Sequence, residues 1–180
     1  MERKQFSGSV QLKGDGSGEV GVDFATLNVI DSQGDVTLPG AFSSGEQVRI
    51  ASWGHGWDQL PVGRGTIAEI DGRAHMEGKF FLDTIAGKEH YLTVKNLGEL
   101  QEWSYGYDVL EASYGKFQDR DVRFLKKLKV HEVSPVLLGA GVDTRTTDIK
   151  GRAEGETRER KPSGEVERVA ARVRVELIDS

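Results

Sequence analysis

Short runs that alternate apolar and polar residues, each closed by a Gly/Asp cluster, constrain this chain more than any other feature. After Gly14-Asp-Gly-Ser-Gly18, the stretch Glu19–Leu27 alternates; Ser9–Lys13 alternates before it. A period of two puts successive side chains on opposite faces of a strand, and Gly/Asp clusters mark turns. Val48–Trp53 reads as another strand. Val62–Ile70 runs into Asp71-Gly72, a two-residue hairpin signal, with Ala74–Leu82 as the return strand. Glu102–Val109 and Val122–Val136 alternate again. One helix interrupts the series: Thr84 suits an N-cap, Ile85, Tyr91, Leu92 and Val94 supply apolar positions, and Lys95-Asn-Leu-Gly98 ends it. The order β-β-β-β-α-β-β predicts a mainly β fold with few helices (α+β). It would be a small, mostly antiparallel sheet or barrel with one helix near 84–96 packed on it.

Composition sets the outer limits. The 180 residues carry 24 Lys+Arg, 29 Asp+Glu, 4 His and no Cys. That length suits one domain, placed at 1–150, with a tail. Phe124 is the last aromatic residue, and residues 151–180 balance charges of both signs around Pro162-Ser-Gly164. Such a segment buries too little apolar surface to offset its ordering entropy, so it reads as a charged flexible linker. Val166, Val169, Ala170, Val173 and Leu177 add one short amphipathic stripe at helical spacing. Without cysteine, disulfides, thiolate metal sites and cysteine nucleophiles are excluded. A net charge of −5 and the lack of a long Lys/Arg block argue against a general nucleic-acid binder. No apolar run approaches a membrane span, and Met1–Phe6 lack the apolar stretch of a signal peptide. The expectation is a cytoplasmic protein with no membrane partner and no cofactor.

Three stretches carry chemistry. In Ser52-Trp-Gly-His55-Gly-Trp-Asp58, glycines flank a histidine and let another chain approach it, while tryptophans can wall off water; this suits a general base. In Glu102-Trp-Ser104-Tyr-Gly-Tyr107, strand parity puts Glu102, Ser104 and Gly106 on one face and the aromatics on the other. In Val130-His131-Glu132-Val133-Ser134-Pro135-Val136, an ionisable pair sits in an apolar strand, and only one of His131 and Glu132 can face a given cleft. A serine hydroxyl needs a hydrogen-bonded base, and that base needs a third group to fix its tautomer. The chain supplies a serine, a histidine and an acid on three different elements.

The ordered set Asp31-Ser-Gln-Gly-Asp35-Val-Thr-Leu-Pro-Gly40-Ala-Phe42, His55, Pro61-Val-Gly63, Trp103-Ser104-Tyr-Gly-Tyr107 and Glu132-Val-Ser134 resembles the HK97-type caudoviral prohead serine proteases. The likeness runs from about Val22 to about Thr146. It implies a β-barrel like that of the herpesvirus assemblin proteases. It implies Ser104 as nucleophile, His55 as general base and Glu132 as third member, with His131 as the alternative third member, since the herpesvirus relatives use a second histidine there. The implied function is endoproteolysis of scaffold, of the N-terminal region of the major capsid protein and of the protease itself, inside the assembling prohead in the host cytoplasm. Self-association is a further expectation, because the herpesvirus relatives dimerise. Where many members read Leu-Val-Thr-x-Pro-Ala, this chain reads Pro135-Val-Leu-Leu-Gly139-Ala-Gly141-Val. Its two glycines form a candidate oxyanion loop whose N–H groups point at developing negative charge.

Two other classes compete: a non-catalytic β-rich capsid or scaffold module, and a hydrolase with a metal at His55 and Asp58. His55, His75 and His90 lack metal-ligand spacing, so the expectation is no metal. Asp31–Asp35 lacks the length and closing glutamate of a calcium loop and reads as a structural turn. Lys126, Lys127 and Lys129 read as a solvated basic strand.

Overall fold

A computed structural model describes residues 16–149. The expected strand at 9–13, the linker at 151–180 and the amphipathic stripe within it lie outside the described residues. Eight strands and one helix follow in chain order: β1 (Glu19–Thr26), β2 (Asp35–Thr37), β3 (Gln47–Ile50), β4 (Gly63–Ile70), β5 (Arg73–Phe80), α1 (Ile85–Leu97), β6 (Glu102–Phe117), β7 (Arg120–Val136) and β8 (Arg145–Ile149). A single 3-10 turn, Gly98–Leu100, links α1 to β6.

The local signals act as their chemistry requires. Asp71 and Gly72 both take positive φ, 50° and 75°, and Ile70 pairs with Arg73, giving a two-residue hairpin. Thr84 caps α1 by accepting the Gly87 N–H at 3.0 Å. Gly98, at φ 54°, ends the helix and returns its N–H to the Val94 carbonyl. The helix buries Tyr91 and Val94 and lays Tyr91 edge-on to Phe80 of β5, ring centroids 5.9 Å apart.

Two strands arise where no alternation announces them. β2 pairs in parallel with Arg123–Leu125 of β7, and β8 pairs with β1. Both depend on partners about 100 residues away in sequence. The long β6–β7 hairpin turns at Gln118 and Asp119, both left-handed although neither is glycine.

The sheet is mostly antiparallel, with β2 and β3 parallel to β7, but it is not a closed barrel. Its hydrogen-bonded order is β2-β7-β3-β4-β5-β1-β8, and among the described residues β6 pairs with β7 alone. Side chains join β6 to the approach to β8. There the Trp103 N–H donates to Thr144 Oγ1 at 3.1 Å, and the Trp103 indole N–H lies 3.0 Å from Thr146 Oγ1. The Thr144 hydroxyl takes the Trp103 backbone N–H, and the Thr146 hydroxyl meets the indole. Trp103, Phe24, Phe80, Ile50, Ile67, Met76, Leu125 and Leu128 fill the core. Full burial of each such side chain contributes about 1.5–3 kcal/mol.

A charged cluster spans β1 and β5. His75 Nδ1 is 2.9 Å from Asp23 Oδ1 and its Nε2 is 3.0 Å from Glu77 Oε1; Arg73 and Arg145 also approach Asp23. Both ring nitrogens can donate only when the imidazole is protonated. The Asp23 hydrogen bond, helped by Glu77 and opposed by burial, raises the His75 pKa above its ordinary 6.5. This contribution to stability is full below the unfolded value and is lost as pH rises through the higher folded value. Urea unfolding from about pH 5.5 to about pH 8.5 should therefore show wild type losing stability relative to His75→Gln. Parallel curves for the two proteins would contradict it.

Candidate active site

The register of β6 on β7 assembles the site. Ser104 stands opposite Ser134, and Gly106 opposite Glu132. Positions two apart on a strand share a face, so these four residues form one patch, while Trp103 and Tyr105 turn inward. Trp103 is fully buried, and Tyr105 packs edge-on to Phe24 and Phe42 at 5.3 and 5.6 Å.

His55 comes over this patch on the loop that follows β3. The Ala51 N–H donates to the Val133 carbonyl at 3.0 Å and the Gly54 N–H to the Pro135 carbonyl at 3.0 Å, which ties the loop along β7. From the helix side, the Trp53 N–H donates to His90 Nε2 at 3.1 Å. His90 Nδ1 is 2.7 Å from the Ala86 carbonyl, a contact that assigns it the proton and leaves Nε2 as acceptor. Gly54 and His55 are both left-handed, φ 69° and 61°. For a non-glycine residue that conformation costs about 1–3 kcal/mol and persists only where the surroundings enforce it. Gly56 is required for another reason: a Cβ there would stand 2.0 Å from Ser52 Oγ.

The result is a continuous hydrogen-bonded row. His55 Nε2 lies 3.0 Å from Ser104 Oγ, and His55 Nδ1 lies 2.6 Å from Glu132 Oε1. With the proton on Nδ1, the ring donates to Glu132 and accepts from the serine hydroxyl. The Glu132 side chain is 3% exposed and that of His55 32%. Among the described residues, buried Glu132 Oε2 has no hydrogen-bond partner. A carboxylate so shielded from water attracts strongly any positive charge formed on the adjacent imidazole. Ser134 Oγ lies 3.2 Å from His55 Nδ1. His131 is not part of this row; its Nε2 pairs with Asp108 Oδ2 at 2.8 Å.

Other expected residues sit as follows. Gly139 and Gly141 lie on the loop between β7 and β8. The Gly139 N–H donates to Glu102 Oε2 at 2.6 Å, so that donor is already engaged. Gly141 lines a cavity of about 110 Å³ shared with Ser104 and His55. The loop is pinned by its carbonyls: Ala140 accepts from the Ser32 N–H at 3.1 Å, Val142 from Thr26 Oγ1 at 2.6 Å and Asp143 from Arg73 at 3.0 Å. Trp57 is not the enclosed wall expected of it. It is 65% exposed and lies across Gly106. Both nitrogens of His55 face protein groups, and among the described residues no three His, Asp or Glu side chains converge to hold a metal ion.

Sequence reasoning gave no role to Ser134, Gly106 or His90. Parity with Glu132 and Ser104 was the available signal for the first two; nothing local marks His90.

Residues 21–159 match the family model described as caudovirus prohead serine protease. No curated protein and no solved structure matches the chain. No helix among the described residues is long and apolar enough to cross a membrane.

A methyl group at position 106 would stand 2.4 Å from Trp57 Cζ2 and 2.6 Å from Glu132 Oε1. Gly106→Ala should therefore displace the carboxylate or the indole, cost about 1–3 kcal/mol of stability, and shift or abolish the low-field NMR resonance of the His55 Nδ1 proton. An unchanged resonance would show that position 106 does not set this contact.

Proposed function

The chain belongs to the caudovirus prohead serine proteases, and on that premise we propose that Ser104, His55 and Glu132 are its catalytic triad. A serine peptidase of capsid maturation needs a hydroxyl made nucleophilic at neutral pH. The observation that carries the assignment is the single imidazole bridging Ser104 Oγ at 3.0 Å and the buried Glu132 carboxylate at 2.6 Å.

In this mechanism Ser104 Oγ attacks the scissile carbonyl carbon while His55 Nε2 takes the hydroxyl proton. The imidazolium is stabilised by Glu132, whose carboxylate also holds the proton on Nδ1 beforehand. His55 then gives its Nε2 proton to the leaving amine, and water, deprotonated by the same nitrogen, releases the acyl group. The loop carrying Gly139 and Gly141 supplies the oxyanion donors. Because Glu102 already holds the Gly139 N–H, Gly141 is the better candidate of the two. Removing a donor of this kind typically costs about 3–4 kcal/mol of barrier stabilisation.

The substrates are the scaffold protein, the N-terminal region of the major capsid protein and the protease itself, inside the assembling prohead. Residues 1–150 form the protease domain, which self-associates there. Residues 151–180 serve as a targeting or self-cleaved segment, since a charged linker of this composition is easily cut.

Intact mass followed over time tests this, with wild type beside Ser104→Ala. Wild type should shorten, with cuts within 151–180, and the alanine variant should stay intact, its rate lower by on the order of 10⁶. Equal shortening of both proteins would remove Ser104 from the mechanism.

A further inference from the structure

The cavity of about 110 Å³ beside Ser104 and His55 has a defined chemical character. A cavity of about 150 Å³ takes a benzene-sized group, and small-molecule sites run from roughly 300 Å³ upward. This one therefore fits a single side chain. Its walls include Tyr105 and Tyr107, whose rings stack at 4.8 Å, together with Thr26, Val29 and Val142. Burial above all pushes both phenols above their usual range, and the Asp31 and Asp35 carboxylates push the same way, so both stay neutral hydroxyls.

Among the described residues, Asp31 is the only acidic residue in the lining, and His55 the only basic one. Asp31 Oδ1 accepts the N–H groups of Gln33 and Asp35 at 2.8 and 2.9 Å, which folds the turn before β2. No cation neutralises it among the described residues, whereas neighbouring Asp35 is paired with Arg123. Asp31 thus leaves an uncompensated negative charge in a cavity with aromatic walls.

Resting on the Ser104 reading above, we propose that this cavity seats the side chain of the residue whose carbonyl Ser104 attacks, and that Asp31 selects a basic side chain there. That residue's Cα is one bond from the attacked carbon, so its side chain begins nearest Ser104. A methylene stem lies against the tyrosine rings, and the cationic head meets Asp31 with added attraction from the ring faces. The chemistry is that of a lysine or arginine side chain.

Three peptides that differ only at this residue (lysine, its uncharged isostere norleucine, glutamate) test the proposal with wild type, Asp31→Asn and Ser104→Ala. Asparagine keeps the Oδ1 acceptor of the turn and removes only the charge. Wild type should cleave the lysine peptide roughly 10- to 100-fold better than the norleucine peptide, the range of a hydrogen bond to a charged group. Asp31→Asn should lose that ratio through slower lysine cleavage. A second readout needs no variant: added salt should narrow the lysine-to-norleucine ratio of wild type. Ser104-dependent cleavage without a lysine preference, or a preference that survives Asp31→Asn or is indifferent to salt, overturns the proposal for the cavity alone. Cleavage that persists in Ser104→Ala, or no Ser104-dependent cleavage of any peptide, overturns the Ser104 reading instead.

Discussion

The antiparallel register of β6 on β7 is the constraint on which the rest of the site depends. It sets Ser104 across from Ser134 and Gly106 across from Glu132. A slip of one residue would turn every one of these side chains to the other face. The core guards against that slip: Trp103 on β6 and Val133 on β7 are fully buried, and a slip would put Ser104 and the Glu132 carboxylate in their places. The same packing energy that stabilises the sheet therefore fixes the positions of the serine and the carboxylate. His55 needs more help because it is on a loop. The loop that carries its left-handed backbone is tied to β7 through Ala51 and Gly54 and to His90 of α1 through the Trp53 N–H.

The edge of β6 that carries Ser104 borders a cavity. Thr144 Oγ1 accepts the Trp103 backbone N–H, and among the described residues no strand pairs along the outer edge of β6 at Ser104. The space that a closing ladder would occupy borders the cavity shared by Ser104, His55 and Asp31. The pinned carbonyls of the loop between β7 and β8 keep that loop at the rim without making it a strand.

Much of this was legible in the sequence where the signal is local. Asp71-Gly72 gave its hairpin because both residues tolerate positive φ, and Thr84 and Gly98 bracketed the helix by ordinary capping chemistry. Ser104, His55 and the His131-Glu132 pair stood out because each is a polar residue in an apolar or glycine-flanked setting. The illegible parts are those set by distant partners. β2 is three residues long and begins at the end of the Asp31–Asp35 turn; it pairs with β7, far away in sequence. The Gln118-Asp119 turn lacks the glycine that advertises such a bend. Barrel closure was expected from strand count and resemblance, yet closure depends on whether two remote edges meet. The roles of Ser134 and Gly106 follow from register, and the engagement of Gly139 by Glu102 follows from a loop path that no spacing reveals.

Adjacent residues on β7 offered two third members, and strand alternation sends one toward His55 and the other toward Asp108. The most direct measurement is kcat/KM for Glu132→Gln and His131→Gln, each on a peptide that wild type cleaves. Replacing the equivalent carboxylate in a serine protease by its amide costs about 10⁴-fold by favouring the wrong imidazole tautomer. The account predicts a loss of that order for Glu132→Gln and a change within a few-fold for His131→Gln. A severe loss in His131→Gln with near-normal turnover in Glu132→Gln would contradict it.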